Sequence, residues 1–275
     1  MKPLDAAILS KVTPKTMQDD RRRQWTIWGG LILLLVQRDL RVRYRGSFFG
    51  YLWSMMNPLL YMIILSFVFS HVMRFKVENF SLFILSGILV WNLFQQSLMI
   101  GVNSIVNNGS LLKKVKVPAM LFPAANVASV FVNFLLALVP FMLLSLVLTG
   151  GIHPTLLLLP IFLLPFLLFI FGCVLFLAAL NVSFRDVSHV MEPLLTILFY
   201  ATPIVYPASS LPDRVKNVLA LNPLSHFLES FRNILFEGQW PELRAFGLQC
   251  LFAAISIAVG TYVFRRNRDR FIYDL

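Results

Sequence analysis

Apolar positions in this chain gather into long unbroken runs separated by short basic clusters, not into the one-sided stripes of a water-soluble helix. Between Arg45 and Arg74 lie 28 residues without a charge, and between Glu78 and Lys113 lie 34. A helix crosses hydrocarbon with about 20 apolar residues, so each run holds one span, placed at 48–72 and 80–102. The 68 uncharged residues between Lys116 and Arg185 exceed one crossing, and the turn Thr149-Gly150-Gly151-Ile152-His153-Pro154 divides them into spans at 118–148 and 155–180. A shorter, Pro-marked span follows at 188–206. The sixth, at 245–264, fills the 20 uncharged residues between Arg244 and Arg265. The pattern predicts an all-α integral membrane protein of six transmembrane helices, whose even count puts both termini on one side.

The stretches between the spans carry their own patterns. Residues 1–24 are polar and mixed in charge and read as a cytoplasmic tail, ahead of a single membrane domain over 25–275. The apolar run from Trp25 to Val36 is too short to span. Followed by Arg38, Arg41, Arg43 and Arg45, it suits an amphipathic helix over 25–45 in the headgroup plane, with Trp25 and Trp28 as interface anchors. A short segment that only anchors the chain is the other reading. After span two, Ser110 is a candidate cap for a helix over 110–117 that Pro118 stops. That helix offers Leu111, Leu112 and Val115 beside Lys113, Lys114 and Lys116, which fits docking onto a partner and simple retention of positive charge equally well.

Between spans five and six, Asn222 is a candidate N-cap with Pro223 at the first helical position. Leu224, Phe227, Leu228, Phe231 and Leu235 then recur at helical spacing. The opposite face holds Ser225, Glu229, Ser230, Arg232 and Asn233, with Glu229 and Arg232 placed to pair at i, i+3. A helix of about 13 residues is about 20 Å long, too short to cross. It is either a re-entrant gate or a lid flat on the outer surface.

Composition and charge sharpen this picture. Hydrophobic residues make up 58% and charged ones 13%, against about 45–50% and about 25% in soluble domains, which excludes an ordinary soluble globule. Of the 24 Lys and Arg, 18 fall in the termini and the two loops on the same side, and six on the other. The positive-inside rule therefore sets both termini in the cytoplasm. The net charge of +11 is accounted for by topology, with no nucleic-acid partner expected. Cys173 and Cys250 lie within spans four and six and predict no disulfide. The N-terminus reads as retained, since no small-residue cleavage site follows Val36.

The chemistry missing from the chain narrows the function. None of the 13 glycines is followed by lysine, so there is no phosphate-binding loop of the Gly-x-x-x-x-Gly-Lys type, and any ATP dependence belongs to a separate subunit. There is no His-Glu-x-x-His or Gly-x-Ser-x-Gly motif. No catalytic residue, metal ligand or bound cofactor is expected. Ser183, Asp186 and His189 read as a solvated turn. Within the spans only Glu192 is acidic, which offers little to an ion-coupled carrier. A membrane transferase would have to rest on Asp39, Asp186 and Glu192, which lie far apart. The chain has 26 Phe, 5 Trp and 7 Tyr. Tyr51, Trp53, Tyr61, Trp91, Phe94, Phe199, Tyr200 and Tyr206 cluster near span ends, as lipid anchors or as rings on which a sugar chain slides.

Three separated motifs carry a family likeness. Arg38-Asp39-Leu40-Arg41-Val42-Arg43-Tyr44-Arg45-Gly46-Ser47 with Gly50-Tyr51-Leu52-Trp53 and Pro58-Leu59 is the first. Leu111-Leu112-Lys113-Lys114-Val115 with Pro118 and Phe122-Pro123 is the second. The third is Pro203-Ile204-Val205-Tyr206-Pro207 with Pro212, Asn222-Pro223-Leu224 and Phe231-Arg232. Together they resemble the permease subunits of type-2 ABC exporters for bacterial polysaccharides. Gly46 and Phe48-Phe49 depart from the usual pattern, which bears on which glycan is carried.

The resemblance implies a homodimer in the bacterial inner membrane, with two cytoplasmic ABC ATPase subunits that hold ATP and magnesium. The implied cargo is O-antigen, capsule or teichoic acid on a lipid, with a polyprenyl diphosphate as carrier. It makes 28–44 the interface helix, and 110–117, with Ser110, Leu111, Leu112, Lys113, Lys114 and Val115, the ATPase-coupling helix. It makes 211–236, with Asn222, Pro223, Phe227, Glu229, Phe231 and Arg232, the gate. Arg38, Arg41, Arg43 and Arg45 become candidates for the lipid diphosphate. A drug- or lipid-exporting type-2 permease and a glycan transferase are the alternatives.

Overall fold

The computed structural model describes residues 21–68, 79–114, 117–151, 153–268 and Phe271, and these are helical with no strand among them. Helix α1 covers Arg21–Arg43, beginning ahead of the expected interface segment. A turn through Gly46 and Gly50, at φ 74° and 49°, leads into α2, Leu52–Val68. These two glycines reverse the chain in backbone conformations that residues with a Cβ rarely adopt. Residues 69–72 of the expected first span lie outside the described residues.

Helix α3 is Phe80–Gly101. A 3-10 turn, Val106–Asn108, runs into the short α4, Gly109–Lys114. Helix α5, Leu121–Thr149, ends where Gly150 turns left-handed and its N–H reaches the Leu146 carbonyl, a glycine stop. The 3-10 turn Pro154–Leu158 opens α6, Leu159–Ser183. Helix α7 is Asp186–Tyr200. After it come α8, Asp213–Leu219, and α9, Pro223–Arg232, which continues as a π-turn over Asn233–Glu237. Helix α10, Leu243–Arg266, closes the fold.

Four helical segments are long and apolar enough to cross a membrane: Phe80–Gly101, Leu121–Thr149, Pro154–Ser183 and Leu243–Arg266. The protein is thus a multi-pass integral membrane protein. The expected span at 188–206 is a shorter object. Helix α7 has 15 residues and the chain leaves helical geometry after Tyr200, because Pro203 cannot donate and disfavours a helical residue before it.

Two apolar clusters fill the interior. The larger joins α3, α5, α6 and α9 around Leu85, Phe141, Phe166, Phe227 and Phe231. The smaller lies at the end that carries α4, where Leu35, Val36 and Leu40 of α1 meet Ile105, Phe122, Ala125, Leu175 and Ala178. Helix α1 is therefore packed into the bundle along one side, with Leu33, Leu34 and Val42 on the outside.

The tightest crossing is α6 on α10. A Cβ on Gly260 would stand 2.1 Å from the Gly172 carbonyl oxygen, and one on Gly172 would stand 2.3 Å from the Ser256 carbonyl carbon. The Ser256 hydroxyl donates to the Phe169 carbonyl at 2.8 Å and lies 3.4 Å from the Cys173 sulfur. Lipid tails are as apolar as leucine, so helices in a bilayer gain little from hiding apolar surface and depend on close packing between small residues. Ser256 and Gly260, four apart, supply that face. Gly260→Ala is expected to destabilise the purified protein by about 1–3 kcal/mol through overpacking, seen as a lower melting temperature. Gly247→Ala on the same helix, where a Cβ meets nothing within 4 Å, should not lower the melt and gains from the better helix propensity of alanine.

Candidate functional site

The segment between α7 and α10 is folded against the end of the bundle opposite α4. Asn222 caps α9 as expected, its side-chain oxygen accepting from the Leu224 N–H at 3.0 Å. Its amide also donates to the Thr202 hydroxyl at 3.0 Å and the Ala201 carbonyl at 3.2 Å, which ties the start of α9 to the end of α7. Leu224, Phe227, Leu228, Phe231 and Leu235 are all buried, so the apolar stripe holds as read.

The polar face does not hold as read. Arg232 turns inward, is 7% exposed, and makes no ion pair with Glu229 among the described residues. Its guanidinium donates to the carbonyls of Pro203 and Ile204 and sits 3.8 Å from the centre of the Phe83 ring. The physical reason is supply and demand for hydrogen bonds. Where α7 stops, the following carbonyls have no helical donor, and a forked cation four residues beyond Leu228 reaches two of them at once. Burial pulls the guanidinium from its ordinary value down to about 9, with Glu237, Glu229 and Tyr206 acting against that fall. It stays charged at neutral pH. Ser230 is also inward, accepting from Gln249 of α10 at 2.6 Å, and the same amide donates to the His226 carbonyl at 2.9 Å.

Two cavities flank α3. One, of about 210 Å³, is lined by Tyr61 of α2, Trp91, Asn92 and Gln95 of α3, and Thr196, Phe199 and Tyr200 of α7. Four of the eight expected channel aromatics meet here, with the Trp91 and Phe199 rings edge to face at 5.4 Å. Tyr206 instead donates its hydroxyl to the Tyr200 carbonyl at 2.8 Å. Phe94 points into the core and stacks on Phe169 at 6.2 Å, lining neither cavity. Tyr51 packs on Tyr44 at 4.6 Å.

The other cavity, of about 240 Å³, lies between the end of α1 and helices α2, α3 and α5. Arg43, Tyr44, Trp53, Asn57, Asn92, Gln96 and Asn133 line it. The Tyr44 hydroxyl donates to the Asn133 side-chain oxygen at 3.0 Å. Asn92 lines both cavities. These amides are neutral and so lie outside the ionisable candidates of the sequence. Their signal was there: Asn92, Gln95 and Gln96 stand at i, i+3 and i+4 in an otherwise apolar run, on one helix face.

At the opposite end, α4 begins at Gly109 directly out of the 3-10 turn, so Ser110 is inside the helix and not its cap. Lys113 and Lys114 are exposed at its last turn, Leu111 and Leu112 are half-buried against the smaller cluster, and Val115 lies outside the described residues. Arg38 pairs with Asp39 at 2.9 Å and donates to Asn108 at 3.1 Å, joining α1 to the turn ahead of α4. Asn181 of α6 donates to the Val102 carbonyl and the Asn103 side chain, both at 3.1 Å, and accepts from the Ser188 N–H. The short basic helix is thus linked to α1, α6 and α7. Arg41 and Arg45 are exposed beyond it.

The multi-pass bundle thus has two cavities flanking α3, a basic helix at one end and a packed cap at the other. Residues 30–236, about three quarters of the chain, match the ABC-2 type transporter family, and the protein belongs to that family. It is 37% identical over 246 residues to the O-antigen export system permease protein RfbA of Myxococcus xanthus, covering 88% of this chain and 94% of that one. Its similarity to the RfbA permease of Klebsiella pneumoniae is 30% over 244 residues, covering 88% and 93%. To the polysialic acid transport protein KpsM of Escherichia coli it is 24% over 241 residues, covering 86% and 92%.

Removing the Arg232 fork should unfasten the segment it holds. Arg232→Met leaves the Pro203 and Ile204 carbonyls without donors, at about 1–3 kcal/mol for each buried acceptor. The expected result is a lower melting temperature together with new protease cleavage between residues 201 and 240. Glu229→Gln, on the exposed side of α9, should shift stability by no more than about 0.5 kcal/mol.

Proposed function

We propose that this chain is the membrane permease of an ATP-driven exporter that moves lipid-linked polysaccharide from the cytoplasm across the bacterial inner membrane. The observation that carries the reading is the cavity between α2, α3 and α7. It sets the rings of Tyr61, Trp91, Phe199 and Tyr200 beside Asn92, Gln95 and Thr196. Aromatic faces take the C–H surface of a sugar and amides take its hydroxyls, so a glycan finds many weak contacts and slides. The relatives named for O-antigen export and polysialic acid transport support the same cargo class.

In this reading two copies face each other, and the chain has six spans, with α2 and α7 completing the four long ones and both termini in the cytoplasm. Residues 211–236 form the re-entrant gate. Two ABC ATPase subunits bind ATP and magnesium, and this chain binds neither. Closure of the ATPases pushes on α4, where Leu111 and Leu112 provide the apolar footing and Lys113 and Lys114 the charge. Links through Asn108 to Arg38 and through Asn103 to Asn181 carry the motion into α1 and α6. Arg41, Arg43 and Arg45 draw the diphosphate head of the carrier to the inner leaflet, while Arg38 holds α1 to the coupling turn.

Depleting the protein in its host, with a glycan probe that does not cross the inner membrane, should trap full-length lipid-linked polymer inside and remove it from the surface. Normal surface glycan would overturn the export reading and favour drug or lipid efflux. Lys113→Glu with Lys114→Glu should reverse the charge of the docking helix and lower ATPase association and export at least tenfold, measured by co-purification and by surface glycan. Unchanged association would overturn the coupling assignment.

A further inference from the structure

The turn between α1 and α2 carries an exposed aromatic surface whose tip, Phe48 with Phe49, lines neither cavity. The turn is closed on itself. The Ser47 and Leu52 N–H groups donate to the Tyr44 and Phe49 carbonyls at 3.3 and 2.9 Å, and the Gly50 N–H donates to the Ser47 hydroxyl at 3.2 Å. With Gly46 and Gly50 at positive φ, these bonds hold Phe48 at the tip, 96% exposed. Its ring stands edge to face on Phe49 at 5.2 Å, and Phe49 stands edge to face on Trp53 at 5.7 Å. Three rings thus form a ridge on a fixed turn, and apolar surface of this kind gains free energy only when something covers it.

Charge and level identify the cover. Arg41 and Arg45 are exposed and four residues apart, one turn of helix, since the Tyr44 N–H still reaches the Leu40 carbonyl at 3.2 Å. No acidic residue occurs between Asp39 and Glu78, and no ion pair engages Arg41 or Arg45 among the described residues. The surface is aromatic and cationic, so its complement is apolar and anionic. Helix α5 gives the level. None of residues 121–134 is exposed, whereas exposure begins at Leu135 and recurs at Val139, Leu143 and Leu146. Helix α1 runs along the covered half, from Leu35 and Val36 clustered with Phe122 and Ala125 to the Tyr44 hydroxyl on Asn133. It therefore ends where the lipid-facing surface of α5 begins, and the turn that follows sits at the edge of the hydrocarbon on the α4 side. Rings at that edge with cations beside them are the pattern of a membrane interface.

We infer that this turn is a phospholipid anchor, in which Arg41 and Arg45 hold the phosphate of an anionic lipid and Phe48, Phe49 and Trp53 lie against its glycerol and upper acyl chains. The anchor goes beyond the export reading and takes from it only the sidedness, which makes the leaflet the inner one. Helices α1 and α2 both line the cavity of Arg43 and Asn57, whose level in the bilayer the anchor sets. A carrier diphosphate offers the same guanidiniums the same oxygens, and the test separates the two sources.

The full-length protein is made with p-benzoylphenylalanine in place of Phe48, irradiated in its own cell membranes, and its adducts are identified by mass. The expected product is an adduct with an anionic phospholipid. A carrier adduct would give the surface to the cargo, a cross-link to a second copy or to another protein would make it a protein interface, and no adduct would leave it in water; each overturns the anchor. The purified protein in nanodiscs of phosphatidylcholine and phosphatidylglycerol in equal parts supplies the charge arm. Phosphatidylglycerol adducts should exceed phosphatidylcholine adducts at least threefold. Arg41→Gln with Arg45→Gln, both at exposed positions where a folding defect is not expected, should bring that ratio to about one while adducts still form. The same probe in place of Leu146, exposed on α5, should take both lipids equally. Equal adducts at position 48 in the wild-type background, or a preference that survives the arginine changes, overturns the anchor. Surface glycan in depleted cells decides the export reading separately, and neither result bears on the other.

Discussion

A single buried guanidinium holds the non-spanning part of this permease in place. Helix α7 gives out after 15 residues, and the turn that follows leaves the Pro203 and Ile204 carbonyls in an apolar setting without helical donors. Arg232 answers both and rests on the Phe83 ring. Gly87 makes the arrangement possible, since a Cβ there would meet the Ile204 oxygen at 3.0 Å and the guanidinium at 3.1 Å. Charge, carbonyls and glycine come from three separate elements, so the cap over the bundle stands or falls as a unit. A buried cation is costly unless it is hydrogen-bonded; this one is held by two carbonyls and a ring face, and its Nε has no partner among the described residues.

The same economy of small and polar residues governs the rest of the bundle. Gly172, Ser256 and Gly260 bring α6 and α10 into backbone contact, leaving the outer faces of α10 to Leu251, Ile255, Val259 and Tyr262. Asn181 and Asn108 fix the ends of α6 and α3 at the basic end. Helices α2 and α7 keep most of their surface exposed, as do α8 and α10. Helices α2 and α7 line the aromatic cavity together with α3.

Much of the candidate site was legible along the chain. The Asn222 cap with Pro223 behind it, the buried stripe from Leu224 to Leu235, and the basic turn at Lys113 and Lys114 each follow from local rules of spacing and capping. The grouping of Tyr61, Trp91, Phe199 and Tyr200 was legible as a class of residues but not as a place. Nothing in the chain distinguishes Trp91, on a cavity wall, from Phe94, three residues on and stacked in the core. Ser110 failed as a cap because the preceding 3-10 turn already supplies helical geometry at Gly109.

By itself the sequence determined the membrane character, the helical class and the order of the elements, because hydrocarbon forces every backbone group to be satisfied within its own helix and apolar run length reports directly on that demand. Tertiary structure alone decided which polar side chains face inward. Helical spacing placed Arg232 beside Glu229, where an exposed pair gains little; carbonyls from a turn 28 residues earlier in the chain gave it a stronger set of partners. The amides at Asn57, Asn92, Gln96 and Asn133 likewise become one cavity only when α2, α3 and α5 pack side by side, since hydrogen-bonding partners from distant segments are not set by local periodicity.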